Sequence, residues 1–310
     1  MEVYKVESGG LGIKSKIKEK QMIIDGIQDF SLAQTLECGQ CFRWEAQDSF
    51  SYIGVVGHRV AKLTWEPEGE QGSLRIQQMA HESSPDDEAF WRYYLDLDRD
   101  YGKIKRKFCR GNQAMKEVIR VGQGIHVLHQ DPWEALISFI ISQNNHIPRI
   151  KASIQGLCQL AGTPLGEAFG SPWYAFPEPR QMASLTREDL SPIRLGYRDE
   201  YILRAAKKVE EDGIDRLLEC GQKSPEEALQ YLCSFHGVGK KVAHCTMLYG
   251  LGHRSSFPLD VWMKRVMHQM YHIEEQDEGA MEEMAARQYG VDCGIAQQYL
   301  FYHITQSKKK

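Results

Sequence analysis

The chain has 310 residues, of which 26% are charged and 42% apolar, and it carries a net charge of −4. A chain of this length buries about three quarters of its unfolded surface, so a large core is available, and no apolar run reaches the ~18 residues that a membrane span needs. The charge balance excludes binding of a polyanion through net charge alone, so any nucleic-acid contact rests on local patches.

The start, Met1-Glu2-Val3-Tyr4-Lys5, lacks signal-peptide organisation. The chain is therefore expected not to be secreted, and to work in the cytoplasm of a prokaryote or the nucleus of a eukaryote. Residues 1–20 read as a mobile, lysine-rich lead-in. From Phe42 to about Gln77 the pattern is β. Arg59 to Trp65 alternates in polarity, Glu66-Pro67-Glu68-Gly69 interrupts it, and Leu74-Arg75-Ile76 resumes it. This predicts a small antiparallel sheet with one wet face. Asp86 to Lys107 reads as one helix, and beyond residue 120 helices run to the end. The expected fold is α+β, with a sheet-containing domain over 21–122 packed on a helical domain over 123–310.

Asp131-Pro132-Trp133-Glu134 opens a helix, with Asp131 as its cap. Leu136 to Ile141 is apolar nearly all round, as in a helix at the centre of a domain. It ends in the polar cluster Gln143-Asn144-Asn145. Ser224-Pro225-Glu226-Glu227 is a capping box with proline at the first helical position. Ala228, Leu229, Tyr231, Leu232 and Phe235 give that helix an apolar face. Gly237 and Gly239 then make a tight turn, and Val242, Cys245, Leu248 and Tyr249 begin a second face. This is a helix-hairpin-helix, whose backbone N–H groups hold a phosphate oxygen without base preference.

The eight cysteines, at 38, 41, 109, 158, 220, 233, 245 and 293, are scattered, and reduced thiols are expected. Cys38 and Cys41 form a lone C-x-x-C without further ligands, and the C-terminal region lacks a four-cysteine run for an iron–sulfur cluster. No metal and no organic cofactor is expected for the chemistry, although such a glycine hairpin can hold a monovalent cation structurally.

Two lysines follow the hairpin, Lys240 and Lys241, and Asp260 lies 19 positions after the second. A neutral lysine amine is a nucleophile that can form a Schiff base with an electrophilic carbon. A lysine behind Gly-Val-Gly also serves as a phosphate contact, and the residues alone leave both roles open. Asp260 precedes Val261-Trp262-Met263 and reads as a helix cap. A carboxylate so held can also stabilise positive charge that develops beside it. Cys245 is one turn beyond Lys241 and faces the same way, and Gln297 and Phe301 share a helical face.

The chain resembles the helix-hairpin-helix DNA glycosylases that carry a Gly/Pro-rich loop and a catalytic Asp, and within them the 8-oxoguanine DNA glycosylase branch. The resemblance runs from about residue 21 to 302. It rests on Cys38-Gly39-Gln40-Cys41-Phe42-Arg43-Trp44, Gln130-Asp131-Pro132-Trp133-Glu134, Ser142-Gln143-Asn144-Asn145, Leu195-Gly196-Tyr197-Arg198, the hairpin with Lys241 and Asp260, and Ala296-Gln297-Gln298-Tyr299-Leu300-Phe301. It implies a monomer acting on double-stranded DNA that contains oxidised guanine, with no membrane partner, that excises 8-oxoguanine opposite cytosine and then cleaves the abasic strand.

The resemblance also implies roles. Lys241 is the nucleophile and Asp260 its electrostatic partner. Cys245 and Phe301 sandwich the extruded base, Gln297 reads its Watson–Crick edge, and the Gly39 carbonyl accepts the N7–H that guanine lacks. Asn144 fills the vacated stack, Tyr197 wedges beside it, and Arg149 and Arg198 hold the estranged cytosine. Gly237, Gly239 and Lys240 contact phosphate. Two positions depart from the pattern. Trp262 stands where relatives often have histidine near a phosphate, and Pro148 precedes Arg149, so the backbone there is expected to differ. The alternatives are a related glycosylase that prefers other lesions, such as alkylated bases, and a non-catalytic hairpin module. The latter would lack the Lys or the Asp, and both are present.

Overall fold

The structure, a computed structural model, describes residues 18–80 and 86–307. Most of the lysine-rich lead-in therefore lies outside the described residues. Its last three residues open a strand that the sequence pattern did not announce. β1 (Lys18–Gln28) pairs antiparallel with β5 (Gln71–Ala80), and the sheet continues through β4 (Arg59–Glu68), β3 (Ser51–Val56) and β2 (Trp44–Ala46), in the order β1-β5-β4-β3-β2. Polar residues begin β1, and its register shifts between Ile24 and Ile27, which hides the alternation. In β4 and β5 the alternation is clean. Leu63 pairs with Ile76 and Trp65 with Leu74, and all four are buried. Between β1 and β2 lies the short helix α1 (Leu32–Glu37), capped by Ser31.

The inner face of the sheet packs on α2 (Asp87–Tyr94) through Trp91 and Tyr94. The helix expected over 86–107 is in fact two, α2 and α3 (Tyr101–Cys109). The break is at Asp96, which sits at φ 50. Its carboxylate accepts hydrogen bonds from Arg99, from Tyr101 Oη at 2.8 Å and from His129 at 3.2 Å. Such local bonds compete with helix continuation.

The rest of the chain is mostly helical: α4 (Gln113–Val121), α5 (Pro132–Ser142), α6 (Ile147–Ala161), α7 (Pro179–Ala183), α8 (Arg187–Leu190), α9 (Arg198–Asp212), α10 (Ile214–Glu219), α11 (Pro225–Cys233), α12 (Lys240–Tyr249), α13 (Val261–Tyr271), α14 (Glu278–Tyr289) and α15 (Cys293–Ser307). A hairpin of β6 (Pro164–Ala168) and β7 (Ser171–Tyr174) interrupts it, where helix was expected. Leu165 and Ala168 of that hairpin pack on Val55 and Val60, so it covers part of the sheet face expected to be wet.

α5 is the central helix, as its all-round apolar pattern predicts. Trp133, Leu136, Ile137, Phe139, Ile140 and Ile141 are all buried, and α5 touches α6, α9 and α12. Each such side chain contributes about 1.5–3 kcal/mol on burial. Asp131 caps the helix by accepting from Glu134 N at 2.8 Å, and Ser224 and Glu227 form the capping box of α11. Gln40 fixes the turn after α1. Its amide donates to the Thr35 and His126 carbonyls at 2.8 Å each and accepts from Leu128 N at 2.9 Å.

Candidate active site

The hairpin between α11 and α12 needs glycine at one position. Gly237 has φ +80, and a Cβ there would lie 2.3 Å from the Tyr201 ring. Its carbonyl accepts from Gln143 Nε2 at 3.2 Å, which ties the hairpin to the end of α5. Gly239 is the N-cap of α12 and supplies no side-chain cap. The first N–H groups of α12 are thus left for an outside partner.

The two lysines behind the hairpin part company. Lys240 is exposed, and its charge acts on Cys233 and Glu282. Lys241 is half-buried. Its Nζ donates to Ser142 Oγ at 3.4 Å and lies 5.1 Å over the Phe139 ring. It also meets the Cys245 thiol. Burial pushes that thiol up from its ordinary value, the Lys241 amine opposes the shift, and Asp260 adds to it. Lys241, Cys245 and Asp260 therefore share one space. Asp260 caps α13, with Oδ1 accepting from Met263 N at 2.8 Å, which holds the carboxylate in place.

A second wall is built from the turn after α1 and from α15. Gly39 has φ +88, and a Cβ there would lie 3.4 Å from Phe301 Cε1. One turn earlier on α15, Gln297 is 4% exposed and its Oε1 has no hydrogen-bond partner. An unpaired buried acceptor costs about 1–3 kcal/mol, so it marks a place where a ligand would be bound. The neighbouring Gln298 braces the wall. Its Nε2 donates to the Cys38 carbonyl at 3.0 Å, and its Oε1 accepts from Tyr249 Oη on α12. The thiols of the C-x-x-C segment are inward and protonated. Cys38 Sγ donates to the Thr35 carbonyl and Cys41 Sγ to that of Leu36. Burial pushes Cys38 up to about 12. Among the described residues no group of three or more His, Cys, Asp or Glu side chains is placed to hold a metal ion.

The third group surrounds the turn after α5. Asn144 is exposed at φ +47, and Tyr197 is 47% exposed, its hydroxyl donating to the Gln143 carbonyl at 3.4 Å. Arg198 is buried, and four of its five N–H donors go to backbone carbonyls. It donates to the Gln143 carbonyl through Nε at 2.9 Å and through Nη2, to Leu195 at 3.0 Å and to Asn144 at 3.0 Å. As it stands, Arg198 clamps the turn that carries Asn144. Arg149 is exposed, with Nη2 on the Arg194 carbonyl at 2.9 Å. Pro148 lies in the first turn of α6, where a missing N–H costs nothing, and the helix runs on unbroken. Trp262 carries the Arg265 guanidinium 4.8 Å above its ring, so a cation stands on the indole.

The sequence reading assigns no role to Phe139, Ser142, Gln143 or Gln298. Phe139 and Ser142 lie on a helix that is apolar all round, so no periodicity shows which side meets the lysine. Gln298 was hidden by its neighbour, and only the direction of α15 separates the two amides.

Residues 22–136 match the N-terminal domain of 8-oxoguanine DNA glycosylases, and residues 137–289 match the HhH-GPD superfamily of base excision DNA repair proteins. The N-glycosylase/DNA lyase OGG1 of Arabidopsis thaliana is 28% identical over 283 residues, which cover 88% of this chain and 77% of that one. The Clostridium acetobutylicum 8-oxoguanine glycosylase/lyase has been solved with double-stranded DNA containing cytosine opposite 8-oxoG. It superposes with a TM-score of 0.84 at 32% identity, over 94% of this chain and 98% of that one. MBOgg1, solved with a low-affinity DNA ligand, gives 0.85 at 39% identity, over 94% and 99%.

Proposed function

The chain belongs to the HhH-GPD superfamily of base excision DNA repair proteins, with the N-terminal domain of the 8-oxoguanine DNA glycosylases, and from that membership we propose that it flips 8-oxoguanine out of double-stranded DNA, excises it and cleaves the abasic strand. One arrangement carries the reading. A single half-buried amine, Lys241, stands among a thiol, a hydroxyl and an aromatic face, in the space that the Asp260 carboxylate also borders.

The chemistry needs only those groups. The Lys241 lone pair forms the Nζ–C1′ bond as the C1′–N9 bond breaks. The bonding pair leaves with the base, which gains a proton, and the amine loses one. Asp260 stabilises the positive charge that builds on the sugar. Ring opening, with a proton taken up by O4′, yields the iminium. Loss of a proton from C2′ then expels the 3′-phosphate, which is β-elimination.

The base occupies the space between Cys245 and Phe301. Gln297 reads its Watson–Crick edge, and the Gly39 carbonyl accepts N7–H, where guanine would oppose acceptor to acceptor. The orphaned Gln297 Oε1 supports this placement. Asn144 fills the gap, Tyr197 wedges beside it, and Arg149 and Arg198 favour cytosine on the opposite strand. Arg198 keeps one N–H free of the backbone, so a second contact to a base would require it to release a carbonyl that it now holds. Gly237, Gly239 and Lys240 grip phosphate, and the protein acts as a monomer.

The test is excision from duplexes carrying 8-oxoguanine opposite each of the four bases, with borohydride present to trap an iminium. Lys241→Gln is expected to abolish excision and trapping while lesion-DNA binding persists. Lys240→Gln is expected to weaken binding only modestly. Covalent trapping by the Lys241 variant would show that another amine reacts.

A further inference from the structure

We propose that Ser142 is a positioning residue for the Lys241 amine, an acceptor that turns the amine's lone pair toward the sugar. The inference rests on the reading of Lys241 as nucleophile and concerns how that nucleophile is aimed.

Ser142 is the last residue of α5. Its hydroxyl proton is committed, because Oγ donates to the Phe139 carbonyl at 2.8 Å. Only lone pairs remain on Oγ, so toward Lys241 Nζ at 3.4 Å the hydroxyl accepts. The direction of that bond matters. A hydroxyl that donated to the amine would occupy the pair that must attack C1′. A hydroxyl that accepts takes an N–H bond and leaves the pair free.

A neutral amine has two N–H bonds and one lone pair. One N–H is held by Ser142 Oγ. The Cys245 thiol is the second polar neighbour of the amine, and burial keeps it protonated, with sulfur lone pairs available. The Phe139 ring, 5.1 Å from Nζ, closes another side. With one N–H held by Ser142 Oγ and the Phe139 ring closing a side, the lone pair is left to turn toward the space bordered by Asp260. Phe139 thus acts twice, once through its ring and once through the carbonyl that fixes the serine proton. Asn144 follows two residues after Ser142, so the helix end that aims the amine also carries the gap-filling residue.

The test compares wild type, Ser142→Ala, Ser142→Thr and Lys241→Gln on a duplex with a preformed abasic site. Two quantities are read: the affinity for that duplex, and the single-turnover rate of borohydride-trapped adduct. Ser142→Ala is expected to slow trapping roughly tenfold, the worth of one well-placed hydrogen bond in the reacting state, with affinity within about twofold. Ser142→Thr keeps the hydroxyl and is expected to restore most of the rate. Trapping by Ser142→Ala at the wild-type rate overturns the proposal. So does a rate loss matched by an equal loss of affinity, or a Thr variant that melts like wild type yet stays slow. Lys241→Gln separates the two readings. If it still traps, the nucleophile itself is misassigned; if it is dead while Ser142→Ala reacts normally, only the role of Ser142 falls.

Discussion

At Gly39 a single added methyl group would separate the proposed reading of the base from service to the fold. At φ +88 an alanine is strained by about 1–2 kcal/mol, and its Cβ would stand 3.4 Å from Phe301 Cε1, in ordinary contact. On the proposed placement of the base, the methyl group would enter its space without displacing the ring. Gly39→Ala is expected to reduce excision of 8-oxoguanine strongly and cleavage of a preformed abasic site much less, since no base then needs the pocket. Side-by-side rates on the two substrates decide it; equal losses would mean that Gly39 serves the fold or the DNA path. Gly39, Lys241 and Asp260 stand out in the sequence as candidates because each sits in a short motif whose backbone chemistry is local. Ser142 and Phe139 do not. Their relation to Lys241 crosses 99 positions, in the case of Ser142, and depends on the rotation of α5, which an apolar pattern on every face cannot report.

At the scale of elements, the hairpin is the part that the sequence described most fully. Capping box, apolar face, glycine turn and second helix all stand where their residues place them. What was not visible is that the hairpin leans on α9. Gly237→Ala would place Cβ 2.3 Å from the Tyr201 ring on a backbone at φ +80. Strain of about 1–2 kcal/mol and overpacking of about 1–3 kcal/mol are expected to lower the melting temperature and weaken DNA binding. Adding Tyr201→Ala removes the clash but not the strain. The double variant is therefore expected to regain part of the loss, and strictly additive effects in a thermal-melting cycle would exclude the contact. Other elements escaped notice for physical reasons. β1 is polar at its start and bulged at Gly26, and β6 and β7 are short runs broken by Pro164, Gly166 and Pro172. The partner of β1 is remote in sequence, and β6 and β7 pair with each other but pack on the remote Val55 and Val60, so tertiary contact decides both.

For the whole molecule, acid stability is expected to hinge on the junction between the sheet half and the helical half, where His126 is buried. Its ring stacks on Tyr101 at 3.9 Å and meets Phe30 edge-on at 5.0 Å. Its Nδ1 lies 3.2 Å from the Leu95 carbonyl and so carries the proton, while Nε2 is buried without a partner. Charging the ring would put a proton on Nε2 with nothing to receive it, and burial lowers the group from 6.5 to about 4. The folded value lies below the unfolded one, so between pH 6.5 and pH 4 the unfolded chain binds a proton that the native state refuses. This contribution is complete above pH 6.5 and is lost as pH falls through that window, by roughly 3 kcal/mol in all. Glu134 acts in the opposite sense. Burial raises it to about 7 despite Arg43, so its share of stability grows as pH falls from 7 toward 4.5. A melting curve of the wild type alone mixes the two. His126→Asn keeps a donor for the Leu95 carbonyl but does not titrate. Its melting temperature is expected to lie well below wild type at pH 7 and to approach it as pH is lowered to 4, because only the wild type loses the histidine term. A gap between the two proteins that stays constant over that range would show that His126 titrates alike in folded and unfolded chains, and that the acid sensitivity of the junction lies elsewhere.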